Sequence, residues 1–361
     1  MPLPGMTTSQ RVRRSLRNAA LSGLKAGGLF HFVGQSDWRR QRLLILCYHG
    51  VAIEDEHEWR PALYIRPQQL ERRLEILQKA KCTVLPLGEA LERLRRNELP
   101  PRSVAITFDD GPYDFYRQSY PRLKQFGFPA TVYLTTYYSE LQCPIFQLIC
   151  SYMLWKARGK ETLDLKELGV QEPVNLASPE SRQRAAVQIV QWADAQNFTG
   201  KQKNEIAARL AERLSIDYQE LVEKRILQIM NAEEVKELAA AGVDFQLHSH
   251  RHRSPLKKEL FRKEIRDNRE HLARIIPGVR THYCYPSGAY RTEFGQWLAG
   301  EGVISATTCD AGFATADGNP LLLPRFVDTS GRSDLEFESW VGGVGHFLSF
   351  RKRAKSAYVP D

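Results

Sequence analysis

Val104-Ala105-Ile106-Thr107-Phe108-Asp109-Asp110-Gly111 is the stretch on which the reading of this chain turns. An apolar run of strand length passes without a break into two adjacent carboxylates and a glycine. Near-continuous apolar runs bounded in this way belong to strands buried on both faces, as in parallel sheets. In such folds active sites are built at the carboxyl ends of the strands. Neighbouring carboxylates repel, which raises a pKa unless a cation intervenes. A metal held by one leaves the other as a base beside it. The plainer alternative is a turn that caps a helix.

The same arrangement recurs downstream. Val243–Leu247 runs into His248-Ser249-His250-Arg251-His252. Imidazoles at i and i+4 can face one cation if the loop between them turns. One carboxylate with His248 and His252 makes an open three-ligand site, and open positions suit water activation; His250 is left for a supporting or solvent role. A third strand end leads into Cys284-Tyr285-Pro286-Ser287-Gly288-Ala289-Tyr290, a tight turn whose backbone N–H can stabilise an oxyanion if it points inward.

Other apolar runs read as strands at 43–48, 83–87, 130–135, 283–285, 303–307 and 321–327, with helical patterns between many of them. Residues 67–80, for example, place Leu70, Leu74 and Leu77 on one face. Alternating strands and helices predict an α/β fold of parallel βαβ units. Residues 136–230 break the rhythm, with almost no strand signal and several helix signals, including Ser178 before Pro179 as a cap. The organisation expected is therefore a basic amphipathic segment at 1–42, a first barrel part at 43–135, a helical insertion at 136–230, a second barrel part at 231–350 and a basic tail at 351–361. Such an insertion is long enough to form a lid or cleft wall. A docking surface is the alternative for its Ile145, Leu148, Ile149, Met153 and Leu154 stripe.

The chain has 361 residues, 42% hydrophobic and 26% charged, which excludes disorder or a collagen-like chain. No apolar run reaches the roughly 18 residues of a spanning helix. The formal charge of +9 is unevenly spread: residues 11–42 carry eight basic side chains against Asp37, net +7, and 351–361 carry net +3, which leaves the body at −1. A neutral body argues against nucleic acid as a partner. In the leading segment Val12, Leu16, Ala20 and Leu24 recur every fourth residue. Such a helix either lies on anionic lipid or packs its apolar stripe on the barrel. The segment does not read as a signal peptide, and six cysteines without a CxxC pair fit a reducing compartment. A cytoplasmic location is expected, with peripheral attachment to the inner membrane face as an extension of it.

In order and spacing these motifs resemble the polysaccharide deacetylases (NodB-homology domain, carbohydrate esterase family four). The resemblance rests on Thr107-Phe-Asp-Asp-Gly111, His248-Ser-x-x-His252 and the Pro286-x-Gly288 turn. Tyr48-His49-Gly50-Val51 and the stretch 127–134 add to it, so that it covers about 43–135 and 231–330. It implies a distorted (β/α) barrel and a divalent metal, most often zinc, with cobalt, nickel or manganese as alternatives. It further implies Asp109 as general base, Asp110, His248 and His252 as ligands, and the Ser287 N–H at the oxyanion. Where the family's third motif often begins with an arginine that orients the base, this chain has Cys284. Arg325, in Leu322-Leu-Pro-Arg-Phe326, is the expected substitute, with a structural ion pair as the alternative. The family's Asp-Trp motif has only Asp310 as a counterpart, and its histidine acid only His346, with His49 as another pocket residue. The activity implied is hydrolysis of an N-acetyl group on a sugar of a cell-envelope glycan, exopolysaccharide or lipid-linked precursor. Deformylation of a lipid-linked formamido sugar, or a carbohydrate-binding pseudoenzyme, are the alternatives.

Overall fold

The computed structural model describes residues 8–159 and 162–348, so the basic tail at 351–361 lies outside the described residues. The chain divides into two units, one of Met1–Thr136 with Ala232–Asp361, the other Tyr137–Asn231.

The first unit is built on one sheet of parallel pairs. Its strands are β1 (Leu44–Tyr48), β2 (Thr83–Val84), β3 (Ser103–Phe108), β4 (Thr131–Leu134), β5 (Asp244–Leu247), β6 (His282–Cys284), β7 (Ser305–Thr307) and β8 (Phe326–Val327), in the order β7-β6-β5-β4-β3-β1-β8. β2 pairs with the start of β3 and β4 with its end. The expected strand at 321–327 is divided. Leu323 exchanges backbone hydrogen bonds with Ala306 and Thr308 beside β7, while Phe326 pairs with Leu46 of β1. Pro324, which has no N–H to donate, falls between the two halves. This stretch thereby touches both ends of the strand order and curls the sheet into a (β/α) half-barrel.

Side chains alternate along a strand. Ala105, Thr107 and Asp109 therefore share one face of β3 and its exit, as do Ile45 and Cys47 on β1 and His49 at its exit. One core cluster gathers Ile45, Ala105, Tyr133, Cys284 and Leu323 from around the curl with Leu87, Ala90, Leu91 and Leu94. The four last belong to the helix Leu87–Arg95, which lies at the amino ends of the strands: a Cβ on Gly88 would meet Nε2 of His282, the first residue of β6, at 3.3 Å. The amino end of the interior is thus apolar and filled, and polar inward-facing positions are left to the carboxyl end.

Three helices bear on later arguments. α1 (Thr8–Ala26) is followed by α2 (Leu29–Gln35), and near the end of the chain α3 (Asp334–Val341) starts from a capping box in which Ser333 and Glu336 satisfy each other's backbone N–H. α1 packs on α3, but not through its apolar stripe. Val12 and Leu16 are 53% and 66% exposed, which overturns the reading in which that stripe covers the barrel.

The second unit is helical, with Phe146–Lys156 packed on Pro179–Ala195 and Gly200–Arg213. Ile149, Met153 and Leu154 of the expected stripe are buried, and Ser178 caps its helix through the Ser181 N–H. A short antiparallel pair, Thr162–Leu163 with Val174–Asn175, was not evident in the sequence.

Candidate metal-dependent active site

Asp109 and Asp110 leave β3 in opposite directions because the backbone turns left-handed at Asp110 (φ 68°) and Gly111 (φ 75°). A Cβ on Gly111 would stand 2.1 Å from Leu134 Cδ1, so only glycine fits there. Ser249, His252 and Ser287 also have positive φ, at 61°, 55° and 56°. Non-glycine residues adopt this region at a cost, and such strain collects at sites where the surrounding structure fixes it.

The first turn brings Asp110 to the histidines. Its Oδ1 lies 3.2 Å from His248 Nε2 and 3.2 Å from His252 Nε2. His248 Nδ1 lies 2.8 Å from the carbonyl oxygen of Cys284, which can only accept, so Nδ1 carries a proton, and in the neutral imidazole Nε2 presents a lone pair. Such a lone pair facing a carboxylate oxygen at that distance is repulsive unless positive charge, a proton on Nε2 or a cation, lies between them. Asp110 Oδ1 is itself buried and has no hydrogen-bond donor. The separations are close to the edge of a tetrahedron built on bonds of about 2.0–2.1 Å. Two imidazole nitrogens and a carboxylate oxygen thus fit a divalent cation.

The loop that carries the histidines is anchored from Lys258–Ile275. Asn268 Oδ1 accepts the His248 N–H at 3.0 Å while its Nδ2 donates to Leu134 O and Thr136 Oγ1. Glu264 accepts the Arg251 N–H at 2.7 Å and the Arg251 guanidinium at 3.0 Å. His250 points elsewhere, with Nδ1 2.8 Å from Thr136 Oγ1.

Asp109 turns to the interior, where Arg325 meets it with both terminal nitrogens, each 2.7 Å from a carboxylate oxygen. The guanidinium also donates to Thr308 O at 2.9 Å and Thr107 Oγ1 at 3.1 Å. Burial pushes the Asp109 carboxyl up, but the Arg325 charge outweighs it and holds the group well below the usual carboxylate range. Oδ2 is crowded further by the thiols of Cys284 and Cys47 at 3.4 and 3.5 Å. Oδ1, with a single guanidinium donor, is the less engaged oxygen.

Other expectations are placed differently. His346 does not reach the site. Its ring packs on Trp38 and Phe313, 5.3 and 5.8 Å between centroids, and Phe313 precedes Ala314, which pairs with Leu43 at the amino end of β1. The histidine beside the base is His49, with Nε2 3.7 Å from Asp109 Oδ2; burial pushes its pKa down, with Asp109 opposing. Asp310 accepts from the Tyr290 hydroxyl at 2.8 Å and gives its backbone oxygen to the Arg325 N–H. Ser287 sits in the left-handed turn just after β6, where the closing donors are the Gly288 and Ala289 N–H groups. Sequence reasoning missed the thiol contacts of Cys47 and Cys284 with Asp109. Strand alternation carried the signal, since Cys47 on β1 and His49 at its exit lie two apart.

A curled parallel half-barrel thus carries at its strand ends a carboxylate–imidazole triad that could hold a metal ion, beside an Arg-clamped aspartate. The family model for polysaccharide deacetylases matches residues 96–153 and 199–303, and over those residues the chain resembles that family. Poly-beta-1,6-N-acetyl-D-glucosamine N-deacetylase of Staphylococcus aureus is 33% identical over 72 residues, 20% of this chain and 25% of that one. YxkH of Bacillus subtilis is 31% identical over 94 residues, 26% of this chain and 32% of that one. The chain therefore spans a third or less of the length of these curated relatives. The deacetylase PplD of Streptococcus pyogenes shares the fold, with a TM-score of 0.54 at 20% identity over 81% of this chain and 94% of that one.

Proposed function

We propose that this chain removes the acetyl group from N-acetylated sugar residues of a polysaccharide, with an N-acetylglucosamine polymer as the substrate class. The observation that carries the proposal is the convergence of Asp110, His248 and His252 next to the Asp109–Arg325 pair. The relative that acts on poly-beta-1,6-N-acetyl-D-glucosamine supports the choice of substrate.

A divalent cation held by Asp110, His248 and His252 supplies Lewis acidity to the amide carbonyl and to the attacking water. The chain's own residues do the rest. Asp109, kept ionised by Arg325, accepts the water's proton at Oδ1 as the water oxygen bonds to the carbonyl carbon. The Ser287 N–H at the exit of β6 is the donor offered to the developing oxyanion. Cleavage of the carbon–nitrogen bond then needs a proton on the amine. The proton taken by Asp109 serves, directly or through His49, the neutral imidazole beside it. Arg325 makes no step of its own; it fixes the rotamer and charge of the base.

The test is acetate release from N-acetylglucosamine oligomers by the chain stripped with chelator and reloaded with zinc, cobalt, nickel or manganese. Release that depends on added metal is expected. Hydrolysis undiminished in the stripped protein, or none with any metal on any N-acetylated glycan, would contradict the proposal.

A further inference from the structure

We infer that one flank of the barrel unit, formed by α1, α2 and α4 (Val344–Leu348), docks on an anionic lipid surface. The inference is independent of the deacetylase reading.

α1 is turned the opposite way from an ordinary surface helix, which buries its apolar stripe and solvates its charges. Its inward side is fastened mainly by polar contacts. Arg17 pairs with Glu336 at 2.5 Å, Asn18 Oδ1 accepts from the Ser333 hydroxyl at 3.0 Å, and Lys25 pairs with Glu338. Leu21, 2% exposed, is the apolar residue on that side. Val12 and Leu16, one turn apart, face outward. The polar anchors fix this orientation, because rotating the helix to bury Leu16 would break all three of them.

The apolar surface continues on the next elements, since α1 touches α2 and α2 touches α4. Leu29 and Phe32, three residues apart on α2, are 37% and 74% exposed, and Phe347 and Leu348 are 62% and 47% exposed. Phe347 is held in place by Trp38, 4.6 Å between ring centroids. Six large apolar side chains thus stand out along neighbouring short helices.

Charge decides what covers them. These side chains sit on or next to the segment 11–42, whose net +7 falls to +5 once Glu336 and Glu338, the partners of Arg17 and Lys25, are counted with it; Arg39 is buried, and Arg40 is among the basic groups left exposed. A second copy would bring two such segments together and repel. A bilayer with anionic headgroups attracts each basic group by about 1 kcal/mol near the surface while its acyl boundary takes up Leu and Phe. No helix among the described residues is long and apolar enough to cross a membrane, so the attachment is peripheral.

The experiment is sedimentation of the full chain with vesicles of phosphatidylcholine, pure or with about one-third phosphatidylglycerol. Binding is expected to the mixed vesicles only and to weaken as sodium chloride rises through the screening range. Leu16→Ser with Phe32→Ser and Phe347→Ser should lower partitioning roughly tenfold or more. The folded circular dichroism spectrum and acetate release from soluble oligomers should be unchanged, since none of these residues belongs to the site. Failure to bind mixed vesicles at low salt overturns the inference. So does a self-associated species by analytical ultracentrifugation that the triple variant dissolves, which would make the flank an interface between copies.

Discussion

At the carboxyl ends of its strands the barrel buries Arg325 and Asp109 at 0% and 2% exposure, while on its α1–α2–α4 flank it leaves Leu16 and Phe32 exposed at 66% and 74%. Each region reverses the ordinary rule of burial, and they differ in how the reversal is compensated. The buried charge is closed: Arg325 donates to Asp109, Thr107 and Thr308, and Asp109 in turn is held by guanidinium and thiols. Among the described residues the exposed apolar side chains have no such compensation: α1, which carries Leu16, spends its inward face on Glu336, Ser333 and Glu338, and Phe32 on α2 stands out beside it. A charge buried with full compensation belongs to the protein's own chemistry, whereas uncompensated apolar surface points to something outside the chain.

The comparison is broken most severely at the base. Asp109→Asn should lower kcat by about 10²–10⁴ with the metal content unchanged, read by acetate release and elemental analysis. Removing its partner comes next. Arg325→Met leaves a buried carboxylate unpaired and should cost about 3–5 kcal/mol in denaturant unfolding. The sign with pH follows from Asp109. Its folded pKa lies below the unfolded value, so its stabilisation is present above the unfolded pKa and is lost as pH falls through the folded one. Without Arg325 burial dominates, the carboxyl protonates at higher pH, and the acid limb of kcat/KM should move up. An unmoved limb would show that Arg325 is only a structural pair. Asn268→Ala, which loosens the His248 backbone, should weaken metal affinity by about tenfold in a chelator competition. The smallest effect is on the flank, where Leu16→Ser alone should leave unfolding free energy within about 0.5 kcal/mol. A larger loss would mean the stripe is packed after all.

The strands and the triad were legible because each strand is a short apolar run that ends abruptly in polar residues. That discontinuity marks the end of a buried parallel strand, and it is why the residues at 109–110 and 248–252 stood out. What came from the last part of the barrel was harder. Arg325 could be proposed from its strand-end position, but its reach to Asp109 depends on a stretch interrupted at Pro324 that joins both ends of the sheet. His346 was chosen by order along the chain, and order does not tell which end of a strand a helix returns to; α4 returns to the amino end. The direction of the α1 stripe was equally hidden. Periodicity defines a stripe but not whether protein or solvent lies against it, and here the polar anchors decide.

The most direct measurement is acetate release from a zinc-loaded N-acetylglucosamine oligomer assay run side by side on the native chain and Asp109→Asn, with bound metal quantified in both. The account predicts equal metal in the two proteins and acetate from the native chain alone. Equal acetate from both would contradict it, as would a native chain that holds its metal and releases none.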